Sequence, residues 1–174
     1  MLTNSSDDQA VLREITNWSL PAVRASLSVL RQNESVEVVA KTAIAAAERY
    51  GAGAKRNQEL RRTSMAVFKL GKDLPDDEKY VTRAASAIAA VAYTHTDLRK
   101  GDQGWRQARH ILGPIVYAVY ALELAGEFDM VTDLLAEIAK TPQSIRLAVQ
   151  SFPEQPVTKK RLDQLFKDID EQLR

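Results

Sequence analysis

The sequence predicts an all-α fold, a single domain over residues 1–174 built as a bundle or short solenoid-like stack of about eight to nine helices. Three observations predict it. Apolar residues recur at spacings of three and four along nearly the whole chain. No segment alternates apolar and polar residues as a half-buried strand would. Glycine, proline and short polar runs punctuate the pattern at helix-length intervals.

A first helix is expected over residues 7–18, with Ser5 or Ser6 as cap and Val11, Leu12, Ile15 and Trp18 as its stripe. Ser19 is placed to cap a second helix that carries Pro21 in its first turn, where a missing N–H is harmless. Its inward positions are Val23, Leu27 and Val29 or Leu30. After Asn33–Ser35 a third helix covers about 36–50 (Val36, Val39, Ala43, Ala47, Tyr50) and ends at Gly51 and Gly53. A fourth, about 55–71, opens basic and turns apolar through Leu60, Met65, Val67, Phe68 and Leu70, with Gly71 as C-cap. Asp76, Asp77 and Glu78 follow Pro75 in the first turn of a fifth, where the helix dipole favours acids. This alanine-rich helix runs to about residue 96, and Val81, Ala85, Ile88, Ala92 and His95 share its inner stripe.

Residues 97–104 read as a polar loop. The sixth helix, about 105–125, places positions 110, 114, 117, 121 and 124 on one face. Pro114 within it frees the carbonyl of His110, so the helix either kinks there or restarts. Gly126 ends it. A seventh helix covers about 127–140 (Phe128, Val131, Leu134, Leu135, Ile138) and a short eighth about 142–151, between Pro142 and Pro153. Thr158 is expected to cap a last amphipathic helix bearing Leu162, Leu165, Phe166, Ile169 and Leu173.

Composition narrows the function classes. Hydrophobic residues make up 45% and charged residues 27%, the balance of an ordinary globular chain. There is no cysteine, which excludes disulfide and thiolate chemistry and is compatible with the cytosol. Residues 1–9 carry no secretory signal pattern, and a cytoplasmic location is expected. The longest apolar stretch, Ile111–Leu122, is broken by Gly113 and Pro114 and falls short of the ~20 residues that span a membrane. Net charge is +1 and names no partner. Its distribution is uneven: residues 51–110 carry 12 basic and 7 acidic side chains, residues 111–174 carry 7 and 10.

Both histidines, His95 and His110, flank the loop of the expected hairpin, with Asp97, Asp102, Arg106 and Arg109 close by. One reading is a small helical enzyme or a metal protein using His95, His110 and Asp97, since imidazole titrates near neutrality and ligates metals. The other has these residues lock the hairpin or meet a partner, together with Trp105, Arg106 and Arg109. Two histidines without a third firm ligand fall short of a structural zinc site. The second reading is preferred, with no catalytic residue, cofactor or metal assigned. Lys55, Arg56, Arg61 and Arg62 form a basic surface. As phosphate contacts they would make the chain a nucleic-acid-associated helical module, but Glu59, Asp97 and Asp102 are interleaved and stacking aromatics are few. A solvated helix face is the preferred account. Tyr93, Tyr117 and Tyr120 read as core residues with polar tips. No phosphate-binding loop, H-E-x-x-H or G-x-S-x-G is present.

The stretch Ala84–Tyr93, Thr94-His95, then Arg109-His110-Ile111-Leu112-Gly113 and Tyr117–Leu124 resembles a group of all-helical immunity proteins of bacterial polymorphic-toxin systems. The shared pattern is an alanine-rich helix ending in His, then His-x-x-Gly opening an Ala/Tyr-rich helix. Trp18, the run from Ala45 through Gly51 and Lys55-Arg56 to Arg61, Ser144–Pro153 and the last helix look similar too. Here the loop between the histidines is long and charged, and Pro114 stands where a small residue is expected. The resemblance implies a non-catalytic protein that neutralises a cognate toxin by direct stoichiometric binding. Near-zero net charge argues against a strongly acidic DNA mimic.

Overall fold

The computed structural model describes residues 5–30, 32–94 and 104–174, and side chains from Gln9 onward, apart from Thr94. Eight α-helices form among them: α1 Ser5–Ser26, α2 Glu34–Gly51, α3 Gln58–Leu70, α4 Asp76–Thr94, α5 Gly104–Leu124, α6 Phe128–Ile138, α7 Gln143–Gln150 and α8 Arg161–Leu173. Short 3-10 turns at Leu27–Leu30 and Gly71–Asp73 follow α1 and α3. The described residues contain no strand. The expected end of the fifth helix, the polar loop, and the Ser5 or Ser6 cap lie outside the described residues or side chains.

The architecture is a bundle rather than a stack. In a stack each hairpin meets only its neighbours. Here α4 packs on α1, α2, α3 and α5, and α5 packs on α1, α4, α6 and α8. Composition makes this possible. Ala84, Ala85, Ala89 and Ala92 of α4 are buried, so helices approach it closely from several sides. Residues 111–116 of α5 are all buried, which makes it the central rod.

The two expected N-terminal helices are one. Pro21 lies inside α1, its ring exposed, while Leu20, Ala22 and Val23 bury their side chains and hold the helix through the lost hydrogen bond. Ser19 is not a cap. It is buried and donates to the carbonyl of Ile15 at 2.8 Å. Pro114 likewise neither stops nor restarts its helix; it is buried within a continuous α5.

Other boundaries shift for identifiable reasons. Asn57 accepts the Glu59 N–H at 3.0 Å, so α3 starts at Gln58 and leaves Lys55 and Arg56 in the connection. Gly71 does follow α3, but with φ −72° it needs no left-handed freedom. A Cβ there would lie 1.9 Å from Thr82 Oγ1, so glycine is required by close approach to α4. Gly53 and Gly126 adopt positive φ after α2 and α5, as glycine at a helix end should. Thr158 lies ahead of α8 and donates to Asp163 Oδ2 at 2.8 Å, while Lys160 takes the capping position.

Some expected apolar stripes are displaced. Met65 and Leu70 of α3 and Phe128 of α6 are exposed, whereas Leu60, Val67, Val131 and Ile138 are buried. Among the described residues no helix is long and apolar enough to cross a membrane.

Candidate functional site

The first turns of α5 carry Trp105, Arg106, Arg109 and His110. Gly104 opens the helix against the loop after α7, and a Cβ there would meet the Pro153 ring at 2.6 Å. That close approach brings residues 152–163 across the start of α5. Arg109 is the hub. Its guanidinium bridges Asp163 at 2.8 Å, donates through Nε to Gln155 Oε1 at 2.9 Å, and lies 4.4 Å from the centre of the Phe166 ring and 4.9 Å from the Trp105 ring.

Gln155 extends the network. It is buried, donates from Nε2 to the Trp105 carbonyl at 2.7 Å, and directs its backbone N–H to Asp170 Oδ2 at 3.3 Å. Asp170, buried on α8, is paired with Arg174 at 2.8 Å. Arg174 also donates to the Phe152 carbonyl at 3.0 Å. Tyr117 packs edge-on against Phe166, with centroids 5.7 Å apart. The result is a polar clamp between α5, the connecting loop and α8.

Electrostatics fit that description. Burial works against the Asp163 carboxylate, but hydrogen bonds from Thr158 and Arg109 and the charges of Arg109 and Lys160 outweigh it and lower its pKa. The clamp therefore holds Asp163 ionised. Its cations and anions satisfy one another, which builds structure.

His110 is not on the inner stripe. Its residue is exposed, while protein on one side desolvates the ring enough to lower the pKa from 6.5. The stripe through positions 110, 114, 117, 121 and 124 fails because α5 is buried nearly all round at its middle, so the buried set there follows no single face. Leu124, assigned to that stripe, is 43% exposed. His95 and Asp97 lie outside the described residues, so the expected histidine pair and its carboxylate are not placed. Among the described residues, no three His, Asp or Glu side chains come together in a metal-holding group.

The α4–α5 hairpin is present and tightly packed, with the Ala87 Cβ within 3.8 Å of where a Gly113 Cβ would stand. Arg109, expected to lock it or meet a partner, ties α5 to α8 and the loop before it. Trp105 is half-buried beneath Arg106 and Arg109, at 5.1 and 4.9 Å from its ring. Tyr117 and Tyr120 pack on Tyr80 with centroids 6.0 and 4.6 Å apart, in keeping with core residues.

The basic surface is split. Arg56 donates to the Ala92 carbonyl at 3.3 Å and stacks 5.5 Å from the Tyr93 ring, so it closes the end of α4. Lys55, Arg61 and Arg62 are exposed. Sequence reasoning missed Gln155, Asp163, Asp170 and Arg174, and named Thr158 only as a helix cap. A signal existed: Asp163, Asp170 and Arg174 are spaced by seven and four, on a helix face shared with Phe166 and Ile169. Elsewhere, a cavity of about 250 Å³ is lined by Trp18, Pro21, Ala22, Ile115, Leu134 and Ile138, among others, with an ion pair of Lys140 and Glu137 beside it.

No family model, curated protein or solved structure was found to match this chain.

Proposed function

We propose that the chain is a non-catalytic binding protein of the immunity type, neutralising a cognate bacterial toxin by stoichiometric contact. The observation that carries the reading is the closed clamp. Of the residues that sequence marked on the first turns of α5, Arg109 is spent on fixing α8, held by Asp163 and Gln155. A fold that uses such groups internally offers partners a surface. The resemblance of residues 84–124 to immunity proteins supplies the toxin part of the proposal.

Lys55, Arg61 and Arg62 are the candidate contacts that stand outside the clamp. Arg109 is assigned to the scaffold. The test is co-expression with the product of the neighbouring gene. Restored growth and a one-to-one complex on size exclusion are expected. Growth arrest that persists in the presence of soluble, folded protein would overturn the proposal.

A further inference from the structure

The outward face of α3 carries a run of exposed cations. Several cations elsewhere hold carboxylates, as Arg24, Lys41, Arg49, Lys79, Lys140 and Arg161 do. On α3 and its flanks, Lys55, Arg61, Arg62, Lys69 and Lys72 are all exposed, and among the described residues none has an acidic partner. Glu59, the acid within the helix, is already paired with Arg49 at 2.7 Å. Asp73 is the acid beyond it.

Positions 61, 65 and 69 follow at four and four, so Arg61, Met65 and Lys69 share one face of α3, and Lys72 lies in the 3-10 turn that follows. The opposite face, Leu60, Thr63, Ser64 and Val67, is buried, and Ser64 bonds the Ser86 carbonyl on α4 at 2.9 Å. Helix α3 is thereby held with its cations outward. Met65 is 50% exposed at its centre. Arginine and methionine are favoured inside protein interfaces, and lysine at their rims. Arg61, Arg62 and Met65 stand at the middle, with Lys55, Lys69 and Lys72 toward the ends.

We infer that the α3 face docks an acidic protein segment, with Asp or Glu side chains flanking an apolar side chain that covers Met65. The inference rests on the binding-protein reading and names the partner's chemistry. Nucleic acid fits less well. Single strands call for exposed aromatic rings on which bases stack, and Phe68 of α3 is half-buried under the Arg83 guanidinium, 3.8 Å from its ring centre. Exposed apolar area at the centre of the patch also serves a protein partner better than a phosphate backbone.

The test uses fluorescence anisotropy with a labelled amphipathic helical peptide rich in Glu and Leu. A 20-base-pair duplex, a single-stranded RNA and anionic phosphatidylglycerol vesicles are the comparison probes. Peptide binding that weakens with salt and falls about tenfold or more in Arg61→Glu/Arg62→Glu is expected. Met65→Ser should weaken the peptide several-fold and leave duplex binding unchanged. These positions are exposed, so circular dichroism should show wild-type folding. Failure of the peptide to bind, indifference to charge reversal, or tighter binding of duplex, RNA or vesicles would each overturn the inference. Co-expression separates the two proposals. Toxin rescue retained by Arg61→Glu/Arg62→Glu sinks this surface and leaves the immunity reading standing. Peptide binding without rescue by the wild type sinks the immunity reading alone.

Discussion

Gly71 and Gly113 both sit at helix contacts, yet only one is needed for space. A Cβ on Gly71 would collide with the buried Thr82 hydroxyl at 1.9 Å. On Gly113 it would meet Tyr117 at 3.4 Å and Ala87 at 3.8 Å, which is ordinary contact. Gly71→Ala should cost about 1–3 kcal/mol through overpacking. Gly113→Ala should raise stability by about 0.5–1 kcal/mol, because alanine is the better helix former. Urea titration of the two variants tests the opposite signs. Two titrating side chains predict acid sensitivity. His110 has a folded pKa below 6.5, so the unfolded chain takes up its proton first. Its contribution is complete above 6.5 and is lost as pH falls through the folded pKa. Asp163 acts the same way lower down. Its folded pKa lies under 3.8, so its stabilisation holds above that value and is lost as pH falls through the folded pKa. As pH falls from about 7.5, stability should decline first below 6.5 and again below 3.8. His110→Gln should remove the upper decline and Asp163→Asn the lower. None of these neighbours was legible in sequence, because helical periodicity assigns a residue to a face and leaves unspecified what the face meets.

At the scale of elements, periodicity located the helices well and their joints poorly. Pro21 read as the start of a helix and Pro114 as a kink or a restart because each removes a backbone donor, but burial of Leu20, Ala22, Leu112 and Ile115 beside them keeps both helices continuous. The reverse error occurred at Lys55 and Arg56, which helix propensity allows but the Asn57 cap excludes. The contact of α8 with α5 is where tertiary structure matters most. Arg109 and Asp163 are 23% and 18% exposed in their side chains, so the pair is largely but not wholly desolvated. Arg109→Ala should therefore cost about 2–3 kcal/mol, below the range for a fully buried pair. Arg109→Lys should fall between that and the wild type. A lysine keeps the charge and loses the fork that engages Asp163 and Gln155 together. Chemical denaturation orders the three proteins, and equal midpoints for lysine and alanine would show that geometry, not charge, carries the clamp.

The whole molecule unites helices that the chain order keeps apart. Helix α4 touches α1, which precedes it by fifty residues or more, and α7 is tied to α1 by a hydrogen bond from Ser144 to Glu14. Such long-range choices follow from complementary surfaces, and a single sequence gives no direct sign of them. Their consequence is cooperativity. One continuous core cluster takes residues from every helix, from Leu12 in α1 to Leu173 in α8. The C-terminal helices add the Arg109–Asp163 clamp and the Arg161–Glu123 pair, with Nε to Oε2 at 3.0 Å. A unit linked in this way should unfold in one transition, with an enthalpy of roughly 120 kcal/mol near 60 °C for 174 residues. The two tryptophans allow a local test. Trp18 reports on α1, and Trp105 on the clamp beneath Arg109. Trp18→Phe and Trp105→Phe leave one reporter each, and both should melt at the midpoint that circular dichroism gives for the corresponding variant. An earlier Trp105 transition would mean that α8 and its loop detach before the core opens. In that case the acid-labile Asp163 contact would set the strength of that docking, and the gap between the two midpoints should widen as pH falls below 3.8.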